Sequence, residues 1–165
     1  MSSHAIPGRI RLAVLHRLLE DFVRPISTSD APQAIGPYSQ AVSAYGFTFV
    51  AGQVAIDPAT QRLVEGGVAQ QTECALKNIA AILKEAGSTM DSVVRCVVYL
   101  KSMNDFVEMN DSYAKFFSSP FPVRSTVAVA GLPRDALIEI EATAVNPPEL
   151  SSPESLSCMA VRAET

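Results

Sequence analysis

The chain is predicted to form an α+β domain, one sheet with two helices packed on a single face, and three patterns carry that prediction. Apolar residues keep helical spacing from Val68 to Ala86, whereas Val94, Cys96, Val98 and Leu100 alternate as a strand does. Two further strand-like segments, 123–130 and 136–145, flank a turn at Gly131, Leu132, Pro133, Arg134 and Asp135. With a short strand pair near the start, the element order is ββαβαββ, without an internal repeat.

The elements follow in order. Gly46 turns the chain between strands near 40–45 and 47–56. Val68, Thr72, Ala75, Leu76, Ile79, Ile82, Leu83 and Ala86 form the buried stripe of the first helix, and Gly87 can end it. Strand 92–101 comes next. Asn104 is the candidate cap of a second helix with the stripe Phe106, Asn110, Tyr113 and Phe117. The last two segments read as an antiparallel pair in which Val127, Val129, Ile138, Ile140 and Ala142 seek burial. With 127 opposite 138, Arg124 and Thr126 share a sheet face with Glu139 and Glu141. Arg95, Val97 and Tyr99 would join them there. A half-apolar second face of this kind favours an oligomer with clefts between subunits.

Composition sets limits. The 165 residues are 48% hydrophobic, enough for one domain with a real core, and no apolar run is long enough to span a membrane. The formal charge of −4 sits mainly in residues 27–147, which argues against a broad nucleic-acid surface. Both histidines, His4 and His16, precede the domain, so Ser-His-Asp, Cys-His and His-based metal arrangements are excluded from it. Cys74, Cys96 and Cys158 fit no zinc or disulfide spacing, and their odd number suits a reducing compartment. No cofactor is called for.

The ends differ from the middle. Residues 1–25 carry Arg9, Arg11, Arg17 and Arg24 among apolar residues, as a mitochondrial presequence does, although Glu20 and Asp21 depart from that pattern. The alternative is an untargeted extension, so the expected location is cytoplasmic, or mitochondrial if 1–25 acts as a presequence. Residues 26–146 form the domain. Residues 147–165, rich in proline and serine, read as a disordered tail.

Arg124 beside Glu139 and Glu141 has two readings: a small-anion site next to an acid or base, or a solvated salt bridge of little energetic weight. Asn110 could be only a satisfied buried amide, and Tyr38, after Gly36-Pro37, only a packed turn residue. Ser39 and Ser125 lack a base nearby in sequence and receive no nucleophilic role.

Several separate motifs occur in one order. They are Ala31-Pro32-Gln33-Ala34-Ile35-Gly36-Pro37-Tyr38-Ser39-Gln40-Ala41-Val42, Ala51-Gly52-Gln53, Asn104-Asp105-Phe106, Asn110 and Pro122-Val123-Arg124-Ser125. Leu132-Pro133-Arg134-Asp135 and Glu139-Ile140-Glu141-Ala142 complete the set. Over 26–146 the chain resembles the RidA/YjgF reactive intermediate deaminase family. The resemblance implies a chorismate-mutase-like fold, a homotrimer with ligand sites between subunits, and hydrolysis of 2-imino acids and their enamines, such as 2-aminoacrylate, to 2-keto acids and ammonia.

By the same resemblance, Arg124 holds the substrate carboxylate and Glu139 handles the water, while Tyr38, Gly52, Asn110 and Thr126 line the pocket. Glu141 receives an interface or Arg-pairing role. Ala51 stands where many members have Ser, and Thr126 where many have Cys. Two other classes remain: a ribonuclease or translation inhibitor, which the acidic core and histidine-free domain disfavour, and a non-catalytic metabolite-binding or protein-protecting factor using the same Arg124 pocket.

Overall fold

The computed structural model describes residues 23–146. Its main sheet contains β1 (Val23–Ile26), β2 (Ala41–Ala44), β3 (Phe47–Val54), β6 (Val93–Leu100), β7 (Val123–Ala128) and β8 (Ile138–Val145). Two-residue strands β4 (Ile56–Asp57) and β5 (Arg62–Leu63) pair separately, while α1 (Val68–Glu85) and α2 (Phe106–Tyr113) are the helices. The main sheet runs in the order β1-β2-β3-β8-β6-β7, and only β6 and β7 pair in parallel.

The expected α+β architecture, with both helices on one face, is present. Tyr45 (φ 51°) and Gly46 (φ 79°) supply the two left-handed residues that a tight β2–β3 hairpin requires. At the end of α1, Ser88 N–H bonds Leu83 C=O at 2.8 Å and Gly87 N–H bonds Lys84 C=O at 3.0 Å, with Gly87 at φ 80°. This double closure satisfies carbonyls that a helix end leaves orphaned. Leu76, Ile79, Ile82 and Leu83 are fully buried from the helix side, against Cys96, Val98, Leu100, Ile138 and Ile140 from the sheet. Each such side chain contributes about 1.5–3 kcal/mol through burial.

Four expectations need correction. The segments 123–130 and 136–145 do not form a hairpin, because β6 lies between them. β7 follows β6 through α2, so it returns parallel to β6, as a crossover with a helix permits. The connection 129–137, longer than a hairpin loop of about two to five residues, then passes over to β8. Val127, expected in the core, is 46% exposed on the face opposite the helices.

Val94 also leaves the core. A register shift between Val93 and Arg95 buries Val93 instead and turns Val94 outward, the effect of one extra residue in a strand. The second helix is approached by a short turn at Met103–Asp105, capped by Ser102, whose Oγ accepts from Asn104 N–H at 3.2 Å; Asn104 is not the cap.

β1 was not anticipated. Its Pro25 lies on an edge strand, where a missing N–H is tolerated, and Val23, Arg24 and Pro25 had been grouped with the extension. The remainder of that extension and the tail 147–165 lie outside the described residues. No helix among the described residues is long and apolar enough to cross a membrane.

Candidate functional site

The predicted site residues form two clusters on opposite faces of the sheet. Across β6, Arg124 aligns with Cys96 and Ala142, and Thr126 aligns with Val98 and Ile140, which places both residues on the helix-covered face. Glu139 aligns with Tyr99, and Glu141 with Val97, on the other face. The expected common face of Arg124, Thr126, Glu139 and Glu141 is therefore corrected. The alternation on β8 holds, but the interposed β6 changes which residues stand side by side and turns the Arg124 and Thr126 side of β7, not the Val127 side, to the helices.

The first cluster surrounds a cavity of about 460 Å³ whose walls include Ile35, Tyr38, Gly52, Arg134, Glu139 and Glu141. Gln40 builds one wall from a buried position. Its Nε2 donates to Thr28 C=O at 3.0 Å and Pro32 C=O at 2.7 Å, while its Oε1 accepts from Thr28 N–H at 2.7 Å. These bonds tie the 28–40 loop, and Tyr38 with it, to the start of β2. Tyr38 is half exposed, and its hydroxyl accepts from Ile35 N–H at 3.3 Å.

The opposite wall is a bulge. β3 shifts register against β8 between Val50 and Gln53, and Gly52 sits within that irregularity. A Cβ on Gly52 would overlap Glu139 Oε1 and stand 2.8 Å from its Cδ, so the missing side chain is the seat of the carboxyl. Burial there pushes the Glu139 carboxyl above the ordinary range, and neighbouring Glu141 adds to the rise. Tyr99 Oη donates to Glu141 Oε1 at 3.2 Å. Glu141 is thus paired with a phenol rather than with Arg124. Ala51 also borders the cavity and presents a methyl group there.

The second cluster lies where edge strand β7 meets α2. Arg124 Nη2 donates to Asn110 Oδ1 at 2.7 Å, and its Cζ stands 4.5 Å from the Tyr113 ring centre and 5.8 Å from that of Phe106. Such stacking favours the cation without consuming its donors. Among the described residues, no carboxylate lies within ion-pair reach of Arg124. Thr126 Oγ1 is buried with no hydrogen-bond partner among the described residues. Arg124 and Asn110 thus meet, with Thr126 on the same face of β7, and Tyr38, Gly52 and Glu139 line one cavity, but the two groups lie on opposite faces of the sheet within one chain.

Comparison with known proteins resolves the lineage. A sequence profile of the family described as Endoribonuclease L-PSP, the RidA/YjgF proteins, matches residues 28–146. The chain belongs to the RidA/YjgF family. Among its RidA/YjgF relatives, a RutC family protein of Pyrococcus horikoshii is 51% identical over 119 residues, covering 72% of this chain and 94% of the relative. Human 2-iminobutanoate/2-iminopropanoate deaminase is 47% identical over 125 residues, covering 76% and 91% respectively. The solved structure of Escherichia coli TdcF with bound serine superposes with a TM-score of 0.71 at 37% identity, covering 75% of this chain and 99% of that one.

Sequence reasoning had left Gln40, Tyr99 and Arg134 without roles. Gln40 stood in the Gly36–Val42 motif, and Arg134 in a turn whose left-handed φ of 55° brings it to the cavity rim. Tyr99 had been placed on the correct face. Its partner depended on β6 lying beside β8, which no local pattern reveals. Among the described residues, no group of three or more His, Cys, Asp or Glu is arranged to hold a metal ion.

Proposed function

We propose that this protein hydrolyses small 2-imino acids, and the enamines in equilibrium with them, to 2-keto acids and ammonia. The observation that carries the reading is Arg124, a guanidinium oriented by Asn110 and stacked on Tyr113, with no carboxylate partner among the described residues. That is how a protein presents a fork to a ligand carboxylate, through charge-assisted bonds of about 1.5–3 kcal/mol each. The deaminase name of mammalian relatives and the serine bound by TdcF, a carboxylate-bearing ligand, support the same substrate class.

A complete site needs two copies of the chain. Arg124, Asn110 and Thr126 of one copy would face Tyr38, Gly52 and Glu139 of its neighbour, in the homotrimer that the family resemblance implies. The open sheet face supports this assembly, since Phe47, Phe49, Val123, Val127 and Val145 are all at least 40% exposed on it. Apolar patches of that kind mark contacts with other molecules.

The chemistry follows from these groups. Arg124 fixes the carboxylate, and the carbon of the N-protonated imine accepts water whose proton passes to the Glu139 carboxylate. Glu139 then returns that proton to the carbinolamine nitrogen, the C–N bond breaks, and the hydroxyl proton leaves with the departing ammonia as ammonium while the carbonyl forms. Burial holds the Glu139 carboxyl above the ordinary carboxylate range, and a positioned carboxyl that relays protons contributes about 10²–10⁴-fold.

The test generates imines in situ from several amino acids with an amino-acid oxidase and follows keto acid and ammonia release. Acceleration that disappears in Arg124→Ala is the expected result. Binding without acceleration would indicate a metabolite-binding protein. RNA cleavage that survives Arg124→Ala, with no imine turnover, would favour the activity named in the family description.

A further inference from the structure

Glu139 and Glu141 stand two residues apart on β8, face the same cavity and lie close enough for each charge to act on the other. Two carboxylates in one partly buried site do not share protons equally unless their surroundings are equal. Here they are unequal. Glu139 is seated on Gly52 and has no hydrogen-bond donor among the described residues, whereas Glu141 receives the Tyr99 hydroxyl at 3.2 Å.

The register explains how Tyr99 reaches the farther acid. On β6 it stands directly opposite Glu139, with Val97 opposite Glu141. Its hydroxyl therefore reaches past its direct cross-strand neighbour to end on Glu141. We propose that Tyr99 is a positioning residue: its hydroxyl fixes the Glu141 carboxyl in place beside Glu139, and so leaves Glu139 as the unpinned member of the pair that exchanges protons with the ligand.

The physical step is short. A hydrogen bond donated to a carboxylate favours its charged form, and a nearby fixed negative charge makes a second carboxyl hold its proton longer. Other charged or titratable groups around the pair are Arg95 on β6, Arg134 at the cavity rim and Tyr38 on the 28–40 loop. None of them is hydrogen-bonded to either acid. This assignment of roles within the pair rests on the imine-hydrolysis reading, but the proton distribution can be measured without any turnover.

Carboxyl-carbon NMR titration of the assembled protein tests it. In the wild type, Glu139 should titrate above the ordinary range. Tyr99→Phe removes only the hydroxyl, so the Glu141 side chain is free to swing away, its field on Glu139 should weaken, and the Glu139 midpoint should fall by roughly half a pH unit or more. Glu141→Gln should produce the same direction of change, and adding Tyr99→Phe to it should produce no further change, because the phenol acts through Glu141. If turnover is present, the acid limb of its pH profile should move to lower pH in Tyr99→Phe. An unchanged Glu139 midpoint in Tyr99→Phe overturns the proposal, as does an additional shift in the double variant. Absence of imine hydrolysis with the titration shifts intact would refute the functional reading alone.

Discussion

At the scale of single residues, Arg124 and Glu139 carry different demands. Arg124→Ala should abolish acceleration of imine hydrolysis, and Arg124→Lys should restore little, since an ammonium cannot fork two parallel bonds onto a carboxylate. Near-normal turnover in a folded Arg124→Ala protein would contradict the clamp. Gly52→Ala is a sharper probe, because the new methyl must displace the Glu139 carboxyl. It should lower kcat by about tenfold to a hundredfold, the usual consequence of misplacing a catalytic group by an ångström. Steady-state kinetics on the purified variant decides this.

Glu139 also links activity to stability. Its folded pKa lies above the unfolded value, so the folded state binds the proton more tightly, and stability falls as pH rises through that window. Glu139→Gln should therefore raise Tm at pH 7–8, with the difference fading as pH is lowered towards the unfolded pKa. Thermal melts of the two proteins at matched concentration read the sign directly. A variant that is less stable at neutral pH would show that the carboxylate is better compensated than its surroundings indicate.

At the scale of elements, helix α1 offers a clean case. Gly87 has φ 80° and open space where a Cβ would go, so Gly87→Ala changes backbone strain without creating a clash. The loss should be about 1–2 kcal/mol, read from chemical denaturation. Much at this scale was legible in the sequence: the α1 stripe, the Gly46 turn, the Gly87 stop and the buried alternation of Ile138, Ile140 and Ala142. Their signals are local, being spacing and backbone conformation. β1 and the Val94 bulge were not legible. A four-residue edge strand containing Pro25 carries almost no pattern, and a bulge is set by the strand it pairs with.

At the scale of the whole molecule, the proposed assembly rests on the open sheet face. Sedimentation equilibrium should show a trimer at micromolar concentration. Phe49→Asp, on that face but in neither half-site, should yield monomers and remove turnover. A stable wild-type monomer with full activity would refute the two-copy site. The N-terminal extension has its own test: residues 1–25 fused to a reporter should reach mitochondria and be trimmed if they act as a presequence, and neutralising their arginines should leave the fusion cytosolic.

The sequence by itself determined the helices and most strands, the apolar side of β8, and the identities of Arg124, Glu139, Tyr38, Gly52, Asn110 and Thr126 as residues worth following. Only the tertiary structure decided that Arg124 and Glu139 occupy opposite faces, that Tyr99 rather than Arg124 holds Glu141, and that Val127 faces outward. The pleat relates neighbours within a strand at a fixed period of two. The phase between strands depends on which strand lies next to which, and a helical crossover put β6 between β7 and β8.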